Sequence, residues 1–480
     1  MMYVNQKFLN NLDWVLLEIK LPREILKSPL ATETALAVLL QNGGISGKYQ
    51  MWYKGALPTY SSLEIASIEG VVHFYIRVQT KFRILVESNF YAQYPGIEII
   101  EADDYTKKIR YHHLTKDVKM VGVTFRPAKK WEPTNPETGK AYSKSGAKEP
   151  KDDDDKYSMP ADFLPIKTYV DYGLDKDPKE EFKTDPIAPL IEMMGSIGKG
   201  EHFWFQVLVQ DEGVYNGKKM PKFYVNEQTH EHMSLAQMAT ERKKQMRTSH
   251  YVMKGSTSVN EFGVAATIKG PPDSEGKPTD IEARYLETKP VSKKEMELTQ
   301  EEKDQIEAIN KKLSKPLALA LIRAVYVSKS EYFRIGQVNN LISIPRPYKG
   351  AMNSFGIKTT DPYDYPWENF MNRRVPWRSE EMFEAYVERE GFFPHVKERK
   401  TLDKWEDTFF WSTSMKTRKL FRMIYEAIFY PFDHPEAEDA FTFNLEELAS
   451  VWHLPGAVVG TPTLPRIDSN KGVAPVNLPI

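Results

Sequence analysis

Residues Leu63–Asp104 read LEIASIEGVVHFYIRVQTKFRILVESNFYAQYPGIEIIEADD, and this stretch decides the fold. Leu63–Ile68 and Val71–Val78 are strand-like runs joined at Glu69-Gly70. In the second run Val72, Phe74, Ile76 and Val78 share one face, with His73, Tyr75 and Arg77 on the other, as the two-residue period of a strand requires. The pattern predicts a β-hairpin with one buried side. The period then lengthens: Phe82, Leu85, Val86, Phe90 and Tyr94 recur at helical spacing until Pro95-Gly96, and Ile97–Ile100 returns to a strand.

Upstream, Trp14–Leu21 alternates, with Val15, Leu17, Ile19 and Leu21 on one face. Ser28-Pro29 then supplies an N-cap and a first-turn proline for a helix carrying Ala35, Leu36, Leu39 and Leu40, closed by Gly43-Gly44. Residues 14–101 therefore read β-α-β-β-α-β, the split βαβ or ferredoxin-like order.

Downstream, Lys119–Pro127 reads as a further strand. Residues 129–160 are polar and hold Pro133, Pro136, Pro150 and Pro160, the composition of a loop or linker. Their acidic run Asp152–Asp155 lacks the sixth-position glycine of a calcium loop, where Tyr157 stands. Asp185-Pro186 opens a helix through Met194. His202–Gln210 and Pro316–Ser328 are strong strands. Between them lie a helix at Leu235–Arg247 and another with a Thr299/Glu302 capping box and a stripe of Ile306, Ile309 and Leu313. Phe333–Ile344 is helix-like and Ser354–Lys358 strand-like, so 201–358 resembles a second βαββ layer with an enlarged first crossover. Beyond Asp361, Ser379 is expected to cap a helix reaching Glu390, a second helix spans Met415–Phe429, and an Asn444/Glu447 box opens a third that stops at His453-Leu454-Pro455-Gly456.

The expected class is α/β (α+β), with two ferredoxin-like layers. The expected parts are a ferredoxin-like domain over 1–128, a linker over 129–160 and a second ferredoxin-like domain over 161–362 with a helical insertion at about 229–314. A helical part over 363–456 and an extended proline-rich tail over 457–480 complete the chain.

A chain of 480 residues exceeds one ordinary core, and 41% hydrophobic with 27% charged residues is a globular composition. The net charge of -1 argues against a protein that works by coating nucleic acid, and the absence of cysteine removes disulfides, thiolate chemistry and cysteine-ligated metals. No run approaches the roughly 18 apolar residues of a membrane span, and the N-terminus lacks the layout of a signal peptide. The expected location is the cytoplasm, at most peripheral at the inner face of the membrane.

The motifs that carry chemistry are incomplete. Gly195–Gly200 sets glycines beside Lys199, but a phosphate loop needs glycine at Met193 and a hydroxyl at Gly200, so it reads as a helix-ending turn. His230-Glu231-His232 spaces two imidazoles for a metal on a strand, whereas Met233–Met246 makes the surroundings helical. His112-His113 has no nearby second ligand pair and reads as a solvated loop. No catalytic set, cofactor site or metal site is expected. Arg242, Lys243, Lys244 and Arg247 form a basic cluster that suits contact with phosphate or a partner, against the plainer reading of a solvated helix face. The hairpin offers an RNA platform only Tyr75 with His73, where exposed aromatics on two central strands are needed.

SLEIASIEGVVHFYIRV, FRILVESNFYAQYPGIEI, PIKTY at 165–169, the DPIAPL run at 185–190 leading into GEHFWFQVLV, and LEELASVWHLP from Leu445 together resemble a known region. It is the non-catalytic N-terminal part of type IV secretion and conjugation pumping ATPases of the HerA-like branch. A closer likeness is to an uncharacterised bacterial family found beside or fused to such motors. The sequence ends at Ile480, about where those proteins approach their phosphate loop, and lacks the membrane anchor that precedes this region in some of them. The resemblance therefore implies a non-enzymatic adaptor acting with a separate motor ATPase, and transfers no catalytic residue. A nucleic-acid-binding module and a structural protein unrelated to transport are the alternatives, and self-assembly stays open. The tail carries Leu464, Ile467 and Leu478 among its aliphatics and is expected to dock on the motor, with Arg242–Arg247 as a second contact. Its alternative is to fold back on this chain's own body.

Overall fold

The computed structural model describes residues 8, 11–22, 27–41, 49, 56, 60–114, 116–133, 141, 159–175, 184–211, 214–215, 218–219, 224–226, 231–252, 288–292, 298–361, 374–391, 440–456 and 464–467. The chain divides into two compact units. One comprises 1–128, 165–222 and 313–480, and the other 129–164 and 223–312.

The larger unit holds a ten-stranded sheet. Its elements are β1 (Trp14–Pro22), α1 (Pro29–Leu36), β2 (Tyr60–Ile68), β3 (Val71–Gln79), α2 (Arg83–Gln93), β4 (Glu98–Glu101), β5 (Val118–Pro127), α3 (Ala188–Gly195) and β6 (Glu201–Asp211). After the smaller unit's helices, α4 (Leu235–Arg247) and α5 (Gln300–Leu313), come β7 (Leu317–Lys329), α6 (Gly336–Ser343), β8 (Phe355–Thr359), α7 (Arg374–Glu388), β9 (Phe441–Asn444), α8 (Leu445–Val451) and β10 (Arg466–Ile467). The main path runs β8-β5-β7-β6-β2-β3-β1-β10, with β9 beside β7 and β4 beside β1. All pairs are antiparallel except β1 with β10.

Within this path β1 to β4 take the order β4-β1-β3-β2, and β5 to β8 take β8-β5-β7-β6, the same order again. The two fours meet where β2 pairs β6 from Tyr60↔Gln210 to Ile68↔His202. This corrects three expectations. The ten strands of the two fours and their additions form one continuous sheet and not two layers. The strand at 118–127, grouped with the first domain, belongs with the second four. The long segment between β6 and β7 is the connection of an antiparallel pair, since those strands are direct neighbours, and not a crossover. Residues 129–160, expected as a linker, belong with 161–164 and 223–312 to one compact unit.

The hairpin between β2 and β3 turns through Glu69 (φ 53°) and Gly70 (φ 91°), two successive positive φ values that match the right-handed twist of the flanking strands. It is buried on both sides, which overturns the one-sided expectation. Leu63, Ile65, Phe74 and Ile76 join the core under α1, α2 and α3, while Ala66 and Tyr75 join a second core on the opposite face with Tyr105, Trp204, Phe383 and Tyr386. The polar half of the alternation faces a helix instead of water.

That helix is α7. It begins at Arg374, so Ser379, expected as its N-cap, lies buried inside it. It ends where Arg389 takes a left-handed φ of 57°. Ser28 precedes α1 as expected but makes no side-chain cap, whereas both predicted capping boxes form: Glu302 N donates to Thr299 Oγ1 at 3.2 Å and Thr299 N to Glu302 Oε2 at 2.9 Å, and Asn444 with Glu447 does the same. The helix expected at Met415–Phe429 and the acidic run Asp152–Asp155 lie outside the described residues. The described residues 440–456 do not belong to a separate helical part, because β9 extends the sheet and α8 is buried along its whole length.

Candidate functional site

One row of side chains crosses the sheet beneath α7. Register places Glu18, Tyr75, Glu64, Gln206, Arg323, Thr124 and Lys358 side by side on β1, β3, β2, β6, β7, β5 and β8. They lie on one face, because directly paired residues in a sheet point the same way. The middle of the row is fully buried, and burial of such groups is tolerated only when they are hydrogen-bonded.

They are. Glu64 accepts from Ser62 Oγ at 2.5 Å, Tyr105 OH at 2.8 Å, Gln206 Nε2 at 3.0 Å and Arg389 Nε at 3.0 Å. Arg389 also reaches Asp104 through Nη1 at 2.5 Å and Nη2 at 3.0 Å. Arg323 Nε donates to Gln206 Oε1 at 2.7 Å, and its Nη2 donates to the carbonyl of Glu390. Tyr386 OH meets Tyr105 OH at 2.8 Å. Burial pushes the Glu64 carboxyl up, but the guanidinium of Arg389 and the donors around it outweigh this and hold it below the usual range. Burial pulls the Arg323 guanidinium down to about 10. The left-handed turn at Arg389 brings its side chain back under the helix that ends there, and such conformations persist where surrounding bonds fix them. The cluster locks α7 to both fours of strands.

On the second turn of α7 lies a second cluster. Glu380 Oε2 accepts from the backbone N–H of His113 at 2.9 Å and from His113 Nδ1, and Glu380 Oε1 lies 3.8 Å from His112 Nε2. The two imidazoles stack with centroids 4.7 Å apart. His112-His113 is therefore not a solvated loop without further ligands. The missing partner is a carboxylate more than 260 positions away, which no spacing rule reveals.

A third junction gathers the segments behind the family resemblance. Ile166 N donates to Glu447 Oε1 at 2.9 Å, Thr168 Oγ1 to Glu446 Oε1 at 2.6 Å, and Tyr169 N to Ser450 Oγ at 2.8 Å. His453 Nε2 lies 2.9 Å from Asp185 Oδ1, while its Nδ1 faces the carbonyl of Ala449 at 2.8 Å. Lys315 bridges Glu33 and Glu446. PIKTY, DPIAPL and LEELASVWHLP thus meet around α8. That helix has seven residues, too few to be stable alone, so packing and these bonds hold it. Trp452 fills the space between Phe74 and Phe90.

The glycine turn before β6 is already filled by carboxylates. Gly198 N donates to Glu201 Oε2 at 2.6 Å and Gly200 N to Glu69 Oε1 at 2.9 Å, so negative charge stands where a phosphate would sit. Of the basic cluster, which lies in the smaller unit, Arg242 donates to Gln245 Oε1 and Gln305 Oε1, and Lys243 to Asn310 Oδ1 on α5, while Lys244 and Arg247 are exposed. Leu464 is buried in the larger unit's core, and Ile467 pairs with Pro22 on β1. Leu478 lies outside the described residues. Glu231–Met233 forms a short strand with Tyr224–Asn226, and the helix expected over Met233–Met246 follows it as α4. Tyr75 stacks on Tyr105 at 5.0 Å inside the second core, which removes it as an exposed platform for bases. Among the described residues no helix is long and apolar enough to cross a membrane.

No protein-family model, curated protein or solved structure matches the chain.

Proposed function

We propose that this chain is a non-enzymatic adaptor or assembly component that works beside a separate motor ATPase of the type IV secretion or HerA-like class. The observation that carries the reading is the junction around α8. Three segments that suggested the likeness, at 165–169, 185–190 and 445–455, bond to one another through Ile166, Thr168, Tyr169, Asp185 and His453. Likenesses scattered along a chain by chance have no reason to converge in space. The architecture proposed for this role is a pair of ferredoxin-like halves joined edge to edge, supported by the repeated strand order.

The motor contact is assigned to the exposed Lys244 and Arg247 of α4, since Leu464 is buried in this chain's own core and Ile467 pairs with β1. The test is co-purification of the full chain with a phosphate-loop ATPase from its own cells. Lys244→Glu with Arg247→Glu is expected to abolish it at unchanged melting temperature. An association that survives charge reversal removes that contact, and a chain that recovers no such ATPase removes the adaptor reading. Salt-sensitive binding to single-stranded nucleic acid, lost in the same variant, would move the function to the nucleic-acid alternative.

A further inference from the structure

We propose that His112, His113 and Glu380 form a binding site for one divalent transition cation of the zinc, cobalt or nickel class. Their donor atoms lie within 4.8 Å of one another. A four-coordinate zinc with bonds of about 2.1 Å sets its ligand atoms about 3.4 Å apart. The 3.8 Å between His112 Nε2 and Glu380 Oε1 is near that spacing. His113 Nδ1 and Glu380 Oε2 now stand closer because a proton lies between them, and a cation takes the place of that proton, which shifts to Nε2 of the His113 ring. Two imidazoles with one carboxylate suit borderline cations, whereas calcium and magnesium take shells of oxygen.

The surroundings are those of a built site. The side chains of His113 and Glu380 are 5% and 3% exposed, and that of His112 is 43% exposed. Two buried ligands therefore anchor the cation, and one accessible ligand closes over it, leaving a position open to water. His113 Nε2 is buried without a hydrogen-bond partner, so the polar engagement of the ring is on its Glu380 side. His112 Nδ1 accepts from Leu114 N at 3.2 Å, a long bond that fixes the proton on Nε2. Ligation by Nε2 shifts that proton to Nδ1 of the same ring, which ends the bond from Leu114 N, a small cost for an exposed ring. Neighbouring residues seldom reach the same ion from a strand, where they point to opposite faces. Here a turn stacks the rings at an interplanar angle of 21° and directs both to Glu380. The bound ion would staple the first turns of α7 to the 105–114 segment.

The experiment is calorimetric titration of the untagged, metal-stripped full chain with zinc chloride, repeated with cobalt chloride and followed by visible absorption. One equivalent is expected to bind, with a rise in melting temperature, and excess magnesium or calcium is expected not to compete. His112→Ala changes only an exposed ligand. It is expected to weaken zinc at least about tenfold, the scale on which even outer groups of metal sites act, while leaving the melting temperature of the metal-free chain unchanged. Glu380→Gln is expected to weaken it further. Absence of one-equivalent binding in the parent, or undiminished affinity in His112→Ala, overturns the site and leaves Glu380 and His113 as a hydrogen-bonded pin for α7.

Discussion

Arg389 and Glu64 stand 325 positions apart in the chain and form a buried two-bond ion pair at 3.0 and 3.2 Å in the middle of the sheet. Asp104 also bonds the guanidinium, so one positive charge meets two carboxylates. A pair of this kind is costly to break from one side, because the abandoned charge stays in a medium that solvates it poorly.

Arg389→Met is therefore expected to cost about 3–5 kcal/mol of stability, measured by urea denaturation. Adding Glu64→Gln should return part of that loss, since the orphaned carboxylate is then neutral. Losses that simply add would show that the two residues do not act as a pair.

The His453–Asp185 contact predicts an acid limb in the stability profile. Burial pushes the Asp185 carboxyl up, but His453, with the backbone N–H of Ile187, brings it below the usual aspartate range. A carboxyl depressed in the folded state stabilises fully above its unfolded value of about 3.9, and the contribution disappears as pH falls through the lower folded value. Melting temperature against pH should thus fall more steeply below pH of about 4 in the parent than in Asp185→Asn. Parallel curves would remove Asp185 from the acid response.

Gly70 tests the hairpin. Its φ is positive, and a Cβ built there would stand 2.6 Å from the backbone carbonyl of Ile197. Gly70→Ala combines strain with a clash against backbone, and a loss of about 1–3 kcal/mol is expected in chemical denaturation. Unchanged stability would mean that the β2–β3 turn is not held against the end of α3.

ATP turnover is expected to be nil for the isolated chain, because Glu69 and Glu201 occupy the amides of the glycine turn beside Lys199. A coupled phosphate-release assay across purification fractions checks this. Activity that follows the protein and vanishes in Lys199→Ala would reverse the conclusion.

Local pattern was enough for the elements themselves. Two-residue alternation located β1 and β3, strong apolar runs located β6 and β7, helical spacing located α2 and α5, and the Thr299/Glu302 and Asn444/Glu447 boxes marked two helix starts, because these signals depend on neighbours a few residues away. What the polar positions face was decided only in three dimensions. Tyr75, Glu64 and Gln206 alternate as residues of a solvated surface would, yet they lie under α7, whose Tyr386 and the Arg389 that follows it arrive from the far end of the chain. Sequence alternation reports that two faces of a strand differ. It cannot distinguish water from a distant side chain as the group that satisfies the polar one, since either supplies the hydrogen bonds that burial would otherwise deny.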